Sequence, residues 1–140
     1  MRRIFADTHY WVALIHKEDE HHDLAKALPQ QLAPLMIVTT HMVLAEFLNY
    51  FGNRQRAYYK HFAARLVDAI LRDPETIVVD QTAHQFDSAL DIYRSYRDKH
   101  WSLTDCASYN VMNNEGITDA LTHDRHFEQM GFTALMRNSH

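Results

Sequence analysis

The sequence predicts an α/β fold of three layers, with helices on both faces of a central, mainly parallel sheet of four to five strands. Two observations predict it. Short apolar or β-branched runs at residues 3–6, 35–38, 76–79 and 117–122 alternate with longer stretches of helical periodicity, a pattern that calls for parallel strands joined by crossover helices. Acids fall where two of those runs end, Asp7 after Ile-Phe-Ala and Asp124 after Ala-Leu-Thr-His. Open α/β sheets place their chemistry in the crevice beyond the carboxyl ends of the strands.

Taken in order, residues 3–6 form the first strand and run into Asp7-Thr8, with Thr8 expected to cap a short buried helix carrying Trp11, Val12, Leu14 and Ile15. A second helix is expected over 18–28, stopped by Pro29, which has no N–H to donate. Residues 35–38 read as the second strand, and Thr39-Thr40 as the cap of a helix reaching about Phe51. Leu44, Phe47, Leu48 and Phe51 make an apolar stripe on it, while Glu46, Asn49 and Asn53 share another face. One long amphipathic helix is expected over 55–71, carrying Phe62, Leu66, Val67 and Ile70 and ended by Asp73-Pro74. The third strand follows at 76–79, then a helix over 82–97 with Phe86, Leu90 and Tyr93 in register. A helix over 102–113 is capped by Ser102 or Thr104 and has Asp105 in its first turn, where an acid meets the positive end of the helix dipole. Gly116 ends it, 117–122 is the fourth strand, and 132–136, after Gly131, is the fifth.

With 46% hydrophobic residues in 140, the chain can bury one core, so a single domain is expected over 1–136, with 137–140 as a flexible tail. The lone Cys106 excludes an internal disulfide framework, fits a reducing compartment and reads as a buried helix residue. The opening Met-Arg-Arg-Ile-Phe-Ala-Asp meets an acid before a signal-peptide core can develop. No run approaches the roughly 18 apolar residues of a membrane helix, and a cytoplasmic protein without membrane contact is expected. A net charge of −4 and a pI near 6.2 argue against binding nucleic acid by broad phosphate neutralisation. A nuclease remains open, because a bound metal inverts the field at its site.

Asp7, Glu46, Asp105 and Asp124 come from separate parts of the chain. If they converge, each pair repels by roughly 4 kcal/mol at about 4 Å and an effective dielectric near 20, so a cation belongs among them. Hard oxygen ligands without a thiolate favour Mg²⁺ or Mn²⁺. The motifs Ile-Phe-Ala-Asp7-Thr-His-Tyr-Trp, Val-Leu-Ala-Glu46-Phe-Leu-Asn, Trp-Ser-Leu-Thr104-Asp105-Cys and Ala-Leu-Thr122-His-Asp124-Arg-His-Phe-Glu-Gln-Met-Gly-Phe, each weak alone, are strong together. In this order they resemble the PIN-domain ribonucleases, in particular the small free-standing kind that includes the VapC toxins of toxin-antitoxin pairs, over essentially the whole chain. The resemblance implies that Asp7, Glu46, Asp105 and Asp124 are the catalytic, metal-binding acids, with Thr8, Thr104 and Thr122 in support. It implies one or two Mg²⁺ or Mn²⁺ ions, hydrolysis of an RNA phosphodiester by water with no covalent enzyme intermediate, a homodimer, and a small antitoxin partner whose tail fills the groove near the acids. Arg125, His9 and His123, which flank the acids in sequence, are the candidate substrate contacts.

Each acid also has an ordinary reading: Asp7 and Asp124 as helix caps, Asp105 as a dipole partner and Glu46 as a solvated helix residue. All four at once make a less economical account. Asp98 reads as a loop or helix-end charge that could still touch the site, and Asp119 as an acid at the far end of its strand. The eleven histidines lack zinc spacing: His21 and His22 are adjacent, and His123-x-x-His126 matches no zinc helix. Arg54, Arg56, Lys60, His61 and Arg65, with Tyr58 and Tyr59, form a basic and aromatic segment that suits phosphates and bases, but suits a solvated face or a subunit contact at least as well. An aspartyl-phosphate phosphatase or receiver domain is disfavoured, since Asp7-Thr-His lacks a second acid and no strand-end lysine appears. Two other readings stay open: a non-catalytic PIN-like binding module and a housekeeping RNA-processing nuclease.

Overall fold

The structure, a computed structural model, describes residues 1–137, the side chains of Arg54 and Gln55 excepted; the rest of the expected tail lies outside the described residues. Five strands, β1 (Arg2–Ala6), β2 (Leu35–Thr40), β3 (Thr76–Val79), β4 (Asp119–Leu121) and β5 (Thr133–Ala134), form one sheet in the order β3-β2-β1-β4-β5. Every pairing is parallel. From β1 the chain steps to β2 and then β3 on one side, and later to β4 and β5 on the other. Right-handed crossovers in opposite directions put their helices on opposite faces, giving the three layers. The reversal also makes a switch point between β1 and β4, where Phe5 pairs with Ala120 and Ala6 with Leu121.

Between β1 and β2 lie α1 (Thr8–Ile15) and α2 (His22–Leu32), and between β2 and β3 lie α3 (His41–Tyr50) and α4 (Lys60–Arg72). Between β3 and β4 come α5 (Ala83–Ser95) and α6 (Leu103–Glu115), and α7 (Arg125–Gln129) links β4 to β5. The main core packs Ile4, Phe5, Val38, Phe47, Phe51 and Leu121 among its members. A smaller cluster of Ala89, Trp101, Cys106 and Ala107 joins α5 to α6. Cys106 is buried, as its helical position suggested.

Several boundaries differ from expectation for local reasons. Thr8 does not cap α1; Asp7 occupies the cap position with extended backbone, and no side chain caps that end. Pro29 lies inside α2 rather than stopping it; the buried Leu28 and the core-packed Leu32 hold the last turn in place. The helix ends instead at Ala33, whose extended backbone is the one favoured before Pro34. The long helix expected over 55–71 divides into a 3₁₀ turn, Arg54–Tyr59, and α4. Asn53 starts that turn by accepting the Arg56 N–H at 3.0 Å. Arg56 in turn donates to the Tyr50 carbonyl and lies over the Tyr50 ring at 4.0 Å, so this cation of the basic segment is engaged in packing. Phe86 and Tyr93, though in helical register on α5, are largely exposed. Strands β4 and β5 are shorter than expected, and α6 is capped by Ser102 rather than Thr104.

Phe47 is fully buried at the centre of the stripe read from α3. Phe47→Ala should therefore cost about 3–5 kcal/mol by urea unfolding; a loss within 1 kcal/mol would show that α3 does not carry the core.

Candidate metal centre and active site

Strand β1 ends by delivering Asp7 to the switch point. The Asp7 amide donates to the Leu121 carbonyl at 3.2 Å and the Asp7 carbonyl accepts from Tyr10 at 3.1 Å, so its backbone joins β4 to the first turn of α1. Thr39 ties the neighbouring strand end by donating its hydroxyl to the Ala6 carbonyl at 2.9 Å. The Asp7 side chain is only 2% exposed and accepts from the Thr122 hydroxyl at 2.9 Å. The same hydroxyl oxygen accepts the Asp124 amide at 3.0 Å. Thr122 thus connects two site acids, and Asp7, though at the N-cap position of α1, makes no standard side-chain capping bond.

Asp105 and Asp124 do both jobs. Asp105 closes a capping box at the start of α6, accepting the Ser102 amide at 3.1 Å while Ser102 accepts the Asp105 amide at 3.0 Å. Asp124 caps α7 by accepting the His126 amide at 2.9 Å. That turn swings the His126 ring back, so that Nδ1 lies 2.9 Å from Asp105 and 3.4 Å from Asp124. His126 is the residue that sequence reasoning missed. The His123-x-x-His126 spacing matches no zinc helix, but the Asp-x-His step across a helix start was the available signal, since it faces the ring toward the neighbouring acid.

Two ligand triads result. Ligand atoms of Asp7, His9 and Asp124 all lie within 4.8 Å of one another, as do those of Asp105, Asp124 and His126, so Asp124 belongs to both. Glu46 is in neither triad but acts on Asp7 electrostatically from α3. Among the other candidates, His9 Nε2 lies 3.9 Å from Asp124, and the His123 ring packs against His9. Arg125 lines a concavity of about 330 Å³ with His9, His123 and Asp124. Thr104 is buried beside Asp105. Asp98 is exposed beside Lys99, with no contact to the acids among the described residues. Asp119 pairs with Arg2 at the opposite end of β4.

The electrostatics of the acids favour a cation among them. Burial first, then the charge of Asp105, pushes the Asp7 carboxyl up to about 8, against the opposing hydrogen bonds of the Thr8 backbone amide and the Thr122 hydroxyl. Burial also raises Asp105, opposed by its bonds to Ser102 and His126. Burial, with His9 and His21 beside it, lowers the His123 imidazole, and the buried Cys106 thiol is pushed up to about 11, far from a reactive thiolate. The Thr8 hydroxyl is buried without a hydrogen-bond partner. Carboxylates that resist ionising together, with an orphaned hydroxyl alongside, fit a hard divalent ion whose charge relieves both deficits.

This arrangement matches a known family. The model of the PIN domain matches residues 4–133, and the chain belongs to the PIN-domain family of nucleases. It is 30% identical over 132 residues, 94% of this chain and 97% of the relative, to the 23S rRNA-specific endonuclease VapC20 of Mycobacterium tuberculosis, in both strain CDC 1551 and strain H37Rv. The crystal structure of M. tuberculosis VapC20, a Sarcin-Ricin loop cleaving toxin, superposes with a TM-score of 0.82 at 29% identity, covering 93% of this chain and 96% of that one.

The raised Asp7 carboxyl gives a signed prediction. Its folded form holds a proton more tightly than the unfolded chain does, so this contribution to stability is full below about 3.8 and is lost as pH rises through about 8. In EDTA, Asp7→Asn should melt above wild type at pH 8, by about 4 °C per kcal/mol recovered. The gap should close toward pH 4; parallel melting profiles would refute the buried-charge account.

Proposed function

We propose that this PIN-domain protein is a divalent-metal-dependent endoribonuclease of the VapC toxin type that hydrolyses a phosphodiester in a structured loop of ribosomal RNA. The observation that carries the reading is the pair of triads sharing Asp124 at the β1–β4 switch point, in a chain alike along most of its length to a 23S rRNA endonuclease. Asp7, Asp105 and Asp124 hold one or two Mg²⁺ or Mn²⁺ ions, with Glu46 adding negative charge from α3. Bound there, an ion would supply activation of the attacking water and stabilisation of charge on the phosphate.

The protein's own groups fix where this happens. Thr122 holds Asp7 and the Asp124 loop in one orientation, and Ser102 and His126 orient Asp105. Thr8 presents its free hydroxyl, while Thr104 packs behind Asp105. Arg125, exposed beside Asp124, meets a substrate phosphate, with His9 and His123 on the adjoining wall. The second triad contains an imidazole, His126, a ligand better suited to a transition-metal ion than to Mg²⁺.

A cytoplasmic homodimer held inactive by a small antitoxin completes the reading. Leu14, Ile15, Tyr58, Tyr59 and Phe62 line a cleft of about 570 Å³, apolar surface of the kind that marks protein contacts. No helix among the described residues is long and apolar enough to cross a membrane.

The direct test incubates total RNA with the purified protein plus Mg²⁺ or Mn²⁺, with EDTA, and with identically purified Asp7→Asn. A discrete large-subunit rRNA fragment, present only with active protein and metal, is the expected result; equal patterns in all three would reject the nuclease reading. Asp105→Asn should lose more than the roughly 10–100-fold typical of outer-shell partners, whereas Thr122→Val should fall within that range, as measured by single-turnover cleavage. A harmless Asp105→Asn would remove Asp105 from the metal site.

A further inference from the structure

Three histidines from distant parts of the chain meet beside the acids. The His9 ring, on α1, meets the His123 ring, on the β4–α7 loop, edge-on at 4.5 Å and 61°. His123 in turn stacks on His21, in the turn before α2, at 4.1 Å and 12°. His21 is anchored from behind: its amide donates to Asp19 Oδ1 at 2.8 Å and its Nδ1 lies 3.6 Å from the same oxygen. The His9 side chain, at the open end of the row, is 46% exposed, whereas that of His21 is 20% exposed.

We propose that this ladder of rings is a stacking wall for a nucleobase adjacent to the scissile phosphate, with His9 offering the exposed face and His21 acting as a positioning residue through His123. The proposal rests on the nuclease reading above and names the chemical group that this part of the site recognises. The ladder borders the concavity of about 330 Å³ that also holds Asp124 and Arg125, so a base on the wall would set its own phosphate near the metal triads. Arg137, the remaining cation of that concavity, is spent on Glu128 at 2.8 Å and on the His123 carbonyl at 3.3 Å. It braces the loop, leaving Arg125 for phosphate.

The ladder as a whole is not a metal site, although His9 by itself also belongs to the first ligand triad. Rings packed face to face and edge to face do not converge their nitrogens, and among the described residues no ligand triad joins His9, His21 and His123. Histidine faces do stack unpaired RNA bases, and stacking tolerates any base because each has a π-face. Such a wall adds affinity without requiring a basic surface, in keeping with a chain whose net charge is −4.

The test uses full-length protein carrying Asp7→Asn, with Mg²⁺, and measures anisotropy of a labelled oligoadenylate of about 10 nucleotides and of an abasic strand of equal length. In that background His9→Ala and His21→Ala should each weaken oligoadenylate binding about tenfold. His9→Phe and His21→Phe, which keep a ring without its nitrogens, should stay within about threefold of the parent. The abasic strand should bind weakly to all five proteins alike. Calorimetric titration of Mn²⁺ into His21→Phe with Asp7 intact should match wild type. A phenylalanine variant as weak as its alanine counterpart, or a His21→Phe protein that loses Mn²⁺, would overturn the wall and make the nitrogen a ligand. A parent that binds oligoadenylate equally well with or without the histidines would overturn the wall alone, whereas wild type that neither binds nor cleaves RNA would overturn both readings.

Discussion

A carboxylate buried at the seam between two parallel strands is the constraint on which the rest of this structure depends. Asp7 stands one residue past β1, where the backbone still pairs with β4 and the side chain has almost no access to water. An isolated charge there would be prohibitively costly, and one hydroxyl from Thr122 meets only part of the need. The carboxyl therefore resists ionisation, and a cation bound beside it would couple metal binding, proton release and local stability. The switch point supplies the position, because only where crossovers diverge does a crevice open above the strand ends.

The remaining acids reach that crevice through ordinary local structure. A capping box that would start any helix gives Asp105 its orientation, and an Asx turn that starts α7 gives Asp124 its own. Each is held by a backbone amide, with the His126 ring also on Asp105, so little rotamer freedom would be lost if an ion bound. The capping and ligand readings of these residues are thus compatible, since the cap would preorganise the carboxylate for an ion. His126 extends this economy, because its amide completes one cap and its ring touches the acid of the other.

Around the acids, the histidines divide into distinct populations. His126 bonds carboxylates, His9, His123 and His21 stack on one another, and His22 is tied to the Ala13 carbonyl between α1 and α2 at 2.7 Å. Composition gave no hint of this division, since a histidine count carries no geometry. The same holds for the basic segment after α3, where Arg56 turns inward onto Tyr50 while Lys60, His61 and Arg65 remain exposed.

Sequence by itself determined the alternation of strands and helices, the placement of Asp7 and Asp124 at strand ends, a helix start near Ser102 with Asp105 in its first turn, and the family. These are legible because strand patterning, capping and turn chemistry act over a few residues, and because four motifs in fixed order rarely coincide by chance. Tertiary structure alone decided that Pro29 would be carried within α2, that the segment after Asn53 would divide, and that Phe86 would stay exposed. It also decided which acids share ligand geometry, with Glu46 set apart from both triads, and it brought His21 to His123 across about a hundred residues of chain. Such contacts depend on how layers dock, and docking is set by the sum of burial over the whole core rather than by any local pattern.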